Sequence, residues 1–132
     1  MDELLFIETI RVEDGTFVRP ELHLQRMRQT VREAYGVASG FDLADGSIPL
    51  QHRKGTVKCR IVYGRSLSEI SFAPYVPREI RSLRLVAADD ELDYHLKYAD
   101  RSALARLLQR RDDCDEILIV RDGAITDTSY SN

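Results

Sequence analysis

Two residues in the last third of the chain have side chains that could do chemistry together. Lys97 carries an amine able to act as a nucleophile or a proton carrier, and Asp127 carries a carboxylate among the small polar residues Thr126, Thr128 and Ser129. They lie 30 residues apart, too far for a local pair, so only a fold that returns on itself could bring them to one side of a sheet. Each also has a plainer reading. A lysine at a strand end is usually a solvated surface residue, and an aspartate beside threonines and a serine is often an ordinary turn or edge-strand carboxylate.

The elements between them are legible. Residues 101–111 are nearly all good helix formers, and Ala103, Leu104, Leu107 and Leu108 make one apolar stripe. Asp100 and Ser102 are candidate caps at its start, and Arg110 and Arg111 close it where the helix dipole favours cations. Glu116–Val120 is a short β-branched run suited to a buried strand, and Asp122-Gly123 is a two-residue hairpin signal. The order is therefore strand end, helix, strand, tight turn, strand, with Lys97 before the helix and Asp127 after the turn.

The first ninety residues supply the scaffold. Leu4–Val12 reads as a strand closed by the turn Glu13–Thr16, and Pro20 starts a helix over about 21–35. Leu24, Met27, Val31 and Ala34 or Tyr35 form its apolar stripe, with Met27 in the core and Gly36 at its end. Residues 37–54, with Gly40, Gly46 and Pro49, read as loop with a short helical turn. Val57, Cys59, Ile61 and Tyr63 alternate along a strand that hairpins through Gly64–Ser66 into Leu67–Val76, which Pro74 and Pro77 confine to an edge. Arg81–Ala87 alternates again, before an acidic loop over 89–93. Lys58, Arg60 and Arg65 could meet a substrate carboxylate, but alternating charges on a strand are usually its wet face. His23 reads as a structural hydrogen-bonding residue, and His52 and His95 as surface or loop residues.

Composition narrows the class. A chain of 132 residues with 43% apolar and 31% charged residues can bury a core and keep a soluble surface. The net charge of −3, with signs interspersed, points to neither nucleic acid nor a membrane surface. No apolar run approaches the ~18 residues of a spanning helix, and Met1-Asp2-Glu3 does not open a signal peptide. Cys59 and Cys114 have no metal-like spacing, so small buried thiols in a reducing cytoplasm are expected, with no metal.

Two ordered blocks resemble the class IV aminotransferases, the pyridoxal-phosphate-dependent enzymes of fold type IV. The first is Phe6-Ile7-Glu8-Thr9-Ile10-Arg11-Val12-x-Asp14-Gly15 followed by His23-Leu24-Gln25-Arg26-Met27. The second is Lys97-x-x-Asp100-Arg101, a helix, Cys114–Ile119, then Gly123-x-Ile125-Thr126-Asp127-x-Ser129-x-Ser131-Asn132. Together they cover about residues 5–132. The family includes branched-chain and D-amino acid aminotransferases and aminodeoxychorismate lyases.

The resemblance implies an α+β fold: an N-terminal two-layer α/β sandwich over 1–92, then the beginning of a C-terminal cofactor-binding domain over 93–132. It implies pyridoxal 5'-phosphate as cofactor and a homodimer. Lys97 would hold the cofactor and then carry protons as general acid–base, which calls for an amine that is neutral near pH 7. Arg26 would bind the phosphate, for which a planar guanidinium is well suited. Asp127 would face the ring nitrogen, where the family more often has glutamate, one methylene longer. Family members exceed two hundred residues, so the chain reads as one cut short, with the second domain's apolar faces exposed. Lys97–Arg101 and Gly55-Thr56-Val57-Lys58-x-x-Ile61-x-x-Gly64 are closer to the lyases. Release of pyruvate from 4-amino-4-deoxychorismate, leaving 4-aminobenzoate, is therefore weighed ahead of amino transfer, with a non-catalytic module of the same fold as the third reading.

Overall fold

The computed structural model describes residues 4–89, 92 and 97–130. His95 and most of the acidic loop lie outside the described residues, as do Ser131 and Asn132. The chain divides into two compact units, and each is described by itself. Unit 1 comprises residues 1–76 and 96–99, and unit 2 residues 77–95 and 100–132.

Unit 1 is a four-stranded antiparallel sheet with one helix. Strand β1 (Phe6–Glu13) turns through Asp14 and Gly15, at φ 47° and 80°, into the two-residue β2 (Thr16–Phe17). Both turn residues adopt left-handed backbone, as a tight hairpin requires. Helix α1 (Pro20–Tyr35) ends at Gly36, whose φ of 69° and N–H bond to the Arg32 carbonyl close the last turn. Strands β3 (Thr56–Tyr63) and β4 (Leu67–Pro74) complete the order β2-β1-β3-β4, leaving β4 on an edge as its prolines foretell. Across β1 and β3 the inward pairs are Phe6/Tyr63, Glu8/Ile61, Ile10/Cys59 and Val12/Val57. All eight are buried, and Leu24, Met27 and Val31 of α1 close over them.

Unit 2 is a three-stranded sheet in the order β5-β6-β7. Strand β5 (Leu83–Ala87) runs parallel to β6 (Glu116–Arg121), with helix α2 (Ser102–Leu108) between them in sequence. A hairpin with Asp122 and Gly123 at φ 52° and 80° leads to the antiparallel β7 (Ala124–Asp127). Val86, Ile117 and Ile119 pack against Leu104 and Leu107 of α2. Asp100 caps the helix region from its side chain, accepting the Ser102 N–H at 2.9 Å.

Two features depart from the sequence reading. Arg81–Ala87 is a strand as expected, but it joins the second sheet and not the first meander, because a buried parallel partner, β6, is available there. The compact units accordingly divide at Val76/Pro77, where the sequence reading sets the boundary at 92/93. The piece around Lys97 returns to unit 1: Tyr98 bridges Phe6, the Ile7 N–H donates to the Lys97 carbonyl, and the Ala99 N–H donates to Leu5. Among the described residues no helix is long and apolar enough to cross a membrane.

Candidate cofactor site

The center of unit 1's polar chemistry is a carboxylate that the strand pattern should have made apolar. Glu8 occupies the inward phase of β1, between Phe6 and Ile10, and is fully buried. Two residues of α1 answer it. His23 Nδ1 lies 2.6 Å from Glu8 Oε1, and Arg26 Nε donates to both carboxylate oxygens at 3.1 Å, with Arg26 Nη2 also bonded to Oε1. Burial alone would push the Glu8 carboxyl up; the hydrogen bonds from His23 and Arg26 outweigh it and hold the pKa below the ordinary glutamate value. The same bonds raise the Arg26 pKa.

This grip orients Arg26 without consuming it. Its side chain is 49% exposed, and a guanidinium has five N–H donors. The outward donors face a cleft of about 350 Å³ lined by Arg11, Val18, Arg19, Leu22, His23 and Arg26. The edge of β1 is interrupted on this side. On the side of β1 away from β3, Lys97–Ala99 pair with Leu5–Ile7, while β2 and the Val18 N–H pair with Arg11–Glu13. Thr9, between these two contacts, has no neighbouring strand there among the described residues.

Lys97 sits at one lip of this break. The Tyr98 ring packs on Phe6 with centroids 5.3 Å apart, so it faces the core, and strand alternation turns the half-buried Lys97 side chain away from it. Lys97 and Arg26 are thus anchored to successive residues of one strand: the Lys97 carbonyl on Ile7 and the Arg26 guanidinium on Glu8.

Asp127 belongs to unit 2. It ends β7, pairs with Ile119 across a register shift, and is half-buried. The segment after it is tied down by a second buried carboxylate that sequence reasoning passed over. Glu116 Oε1 accepts the Ile117 N–H at 3.0 Å and the Ser129 N–H at 3.3 Å, and Oε2 accepts from Arg78 Nη1 at 3.3 Å. Burial opposes its ionisation, but the bonds from Ser129, Ile117 and Arg78 prevail and lower its pKa. Arg78 also stacks over Tyr130, 4.5 Å from the ring centroid. For Glu8 the signal was available, a glutamate on the buried phase of an otherwise apolar strand; Glu116 alternates with the buried Ile117 and Ile119, so the pattern of β6 did not mark it.

The residues present fit a phosphorylated cofactor. The cleft is rich in guanidinium groups, one of them held rigidly with donors to spare, which suits a phosphate dianion. Lys97 is tied through its carbonyl to Ile7, next to Glu8 on β1, with its side chain on the other face of the sheet. Among the described residues no cluster of histidine, cysteine and carboxylate side chains could hold a metal ion.

No family model matches the chain. An uncharacterised protein from Haemophilus influenzae is 35% identical over 130 residues, which is 95% of this chain and 68% of that protein. A crystal structure from Haemophilus somnus 129pt, provisionally designated a 4-amino-4-deoxychorismate lyase, is 31% identical with a TM-score of 0.79, covering 98% of this chain and 69% of that one. A hypothetical aminotransferase from Mycobacterium tuberculosis in its PLP-bound form shares the fold at 19% identity and a TM-score of 0.61, over 95% of this chain and 55% of that one. With its two motif blocks in this fold, the chain belongs to the class IV aminotransferase family, the pyridoxal-phosphate-dependent enzymes of fold type IV.

Proposed function

We propose that the chain carries the cofactor-binding residues of a pyridoxal-phosphate-dependent 4-amino-4-deoxychorismate lyase, eliminating pyruvate to leave 4-aminobenzoate. The observation that carries this reading is the hold of the buried Glu8 carboxylate on Arg26 beside an open cleft. The similarity to the Haemophilus somnus protein favours the lyase within the family. When bound, pyridoxal 5'-phosphate supplies an electron sink for the bonds at the substrate's amino-bearing carbon.

The chain's own residues do the rest. Arg26, oriented by Glu8 and His23, binds the phosphate through its outward N–H groups. Lys97 would hold the cofactor through its amine, and Nζ would be the group that carries protons to and from the substrate. Asp127 would be the acceptor for the cofactor's ring nitrogen, and Glu116 steadies the segment that follows it. A homodimer accompanies this reading, and sedimentation at micromolar concentration tests it. Amino transfer to a 2-oxo acid is the alternative within the same site.

Added pyridoxal 5'-phosphate should give the protein an absorbance at the violet edge of the visible. Borohydride should then fix the cofactor to the peptide containing Lys97, and Lys97→Ala should abolish both signals. Protein that stays colourless, or label found on Lys54 or Lys58 instead, would sink the proposal and leave a non-catalytic module. Pyruvate release, as against amino transfer to a 2-oxo acid, separates lyase from aminotransferase.

A further inference from the structure

The cleft beside Arg26 holds one guanidinium, that of Arg19, which no carboxylate answers among the described residues. Leu22, His23 and Arg26 share one flank of α1, Arg19 immediately precedes that helix, and all four line the cleft, which Arg11 of β1 also borders. The carboxylates nearby are already engaged: Glu8 with Arg26 and His23, and Glu13 with Arg11 at 3.0 Å. Arg19 makes no ion pair among the described residues, and Glu21 does not line the cleft. Val18 and Leu22 give the same cleft two apolar walls.

We propose that Arg19 is a second anion-binding residue of this cleft, receiving a carboxylate borne on an apolar body against Val18 and Leu22. Assigning that carboxylate to the substrate rests on the reading above; the site itself does not. The Arg19 guanidinium, exposed and without an ion pair among the described residues, can take a carboxylate through two parallel bonds. Arg26 and Arg19 would then divide the work, one for the phosphate and one for the carboxylate. A substrate with a carboxylate attached to a hydrophobic ring fits this division, and a purely polar one does not.

The test uses benzoate and inorganic phosphate as separate probes, followed by amide chemical shifts in the protein as purified. Benzoate should shift the amides of Val18–His23. Arg19→Gln should raise its dissociation constant about tenfold or more, the weight of a charge-assisted hydrogen bond, while changing phosphate binding less than about threefold. Arg19→Gly guards against misfolding, because the backbone there is left-handed at φ 51° and glycine accepts it readily; it should lose benzoate equally. Unchanged benzoate affinity in both variants, shifts located elsewhere, or equal losses for the two anions would overturn the proposal. Arg19-dependent benzoate binding in a protein that never takes up pyridoxal 5'-phosphate would sink the enzymatic reading and leave this site standing.

Discussion

A buried carboxylate is expensive unless its partners compensate, and Glu8 is where unit 1 concentrates that cost. Its folded-state pKa lies below the ordinary glutamate value of about 4.3. In the window between the two, the unfolded chain binds a proton that the folded chain does not, so stability rises with pH there. The contribution is present above pH ~4.3 and disappears as pH falls through the folded value. Glu8→Gln should therefore lower stability by about 1.5–3 kcal/mol near neutral pH, leaving Arg26 and His23 short of their acceptor. It should also flatten the acid limb of a urea-midpoint-against-pH curve; a curve of unchanged slope would mean Glu8 does not govern it. Part of the slope will persist, because Glu116 is shifted in the same direction. The two thiols offer a second residue-level contrast. Burial alone pushes the Cys59 thiol up to about 11, whereas Cys114 is only half-buried. Under native conditions iodoacetamide should label Cys114 and spare Cys59 until the chain unfolds, and peptide mapping after brief exposure would reveal any reversal.

At the scale of elements, backbone conformation rather than contact sets the cost of a change at the second hairpin. A Cβ added at Gly123 would meet nothing within 4 Å, yet the residue sits at φ 80°. Gly123→Ala should therefore destabilise by about 1–2 kcal/mol through torsion alone, measurable as a lowered unfolding midpoint with no change in the native spectrum. A midpoint unmoved by the substitution would show that the turn adapts. Such local signals were the legible part of the sequence. The Asp-Gly pairs, Pro20 at the start of α1, Gly36 after it and the alternation of β3 each depend on a few neighbouring residues, and each emerges where expected. Pairing between distant segments was not legible. The alternation of Leu83–Ala87 identifies a strand but not the sheet it joins, and only its parallel ladder with β6 decides that. Likewise, nothing near Lys97 announces that Tyr98 packs on Phe6. Arg26 was readable because it falls in a recognisable helix block. Its dependence on Glu8 was not, since a helix and a strand meet there across 18 residues of chain.

At the scale of the whole molecule, the two sheets differ in how fully their faces are covered. In unit 1, α1 and the loop residues Phe41 and Ile48 close over the inner face. In unit 2, α2 covers the face bearing Val86, Ile117 and Ile119. The opposite face carries Leu83, Leu85 and Ile125, which are 47%, 64% and 62% exposed. The ladder pairs Leu85 with Leu118 and Val120 with Ile125, so these side chains form one continuous patch. Contiguous exposed apolar surface of this kind drives association and dye binding, where scattered apolar residues do not. The chain should therefore bind anilinonaphthalene sulfonate while natively folded, and its apparent mass should rise with concentration. Replacing Leu85 and Ile125 together by lysine should suppress both effects. Because each side chain points into solvent, every replacement should shift stability by no more than about 0.5 kcal/mol. Dye binding that survives the double substitution would place the reporting surface elsewhere. A large loss of stability would instead mean that Leu85 and Ile125 are packed in solution.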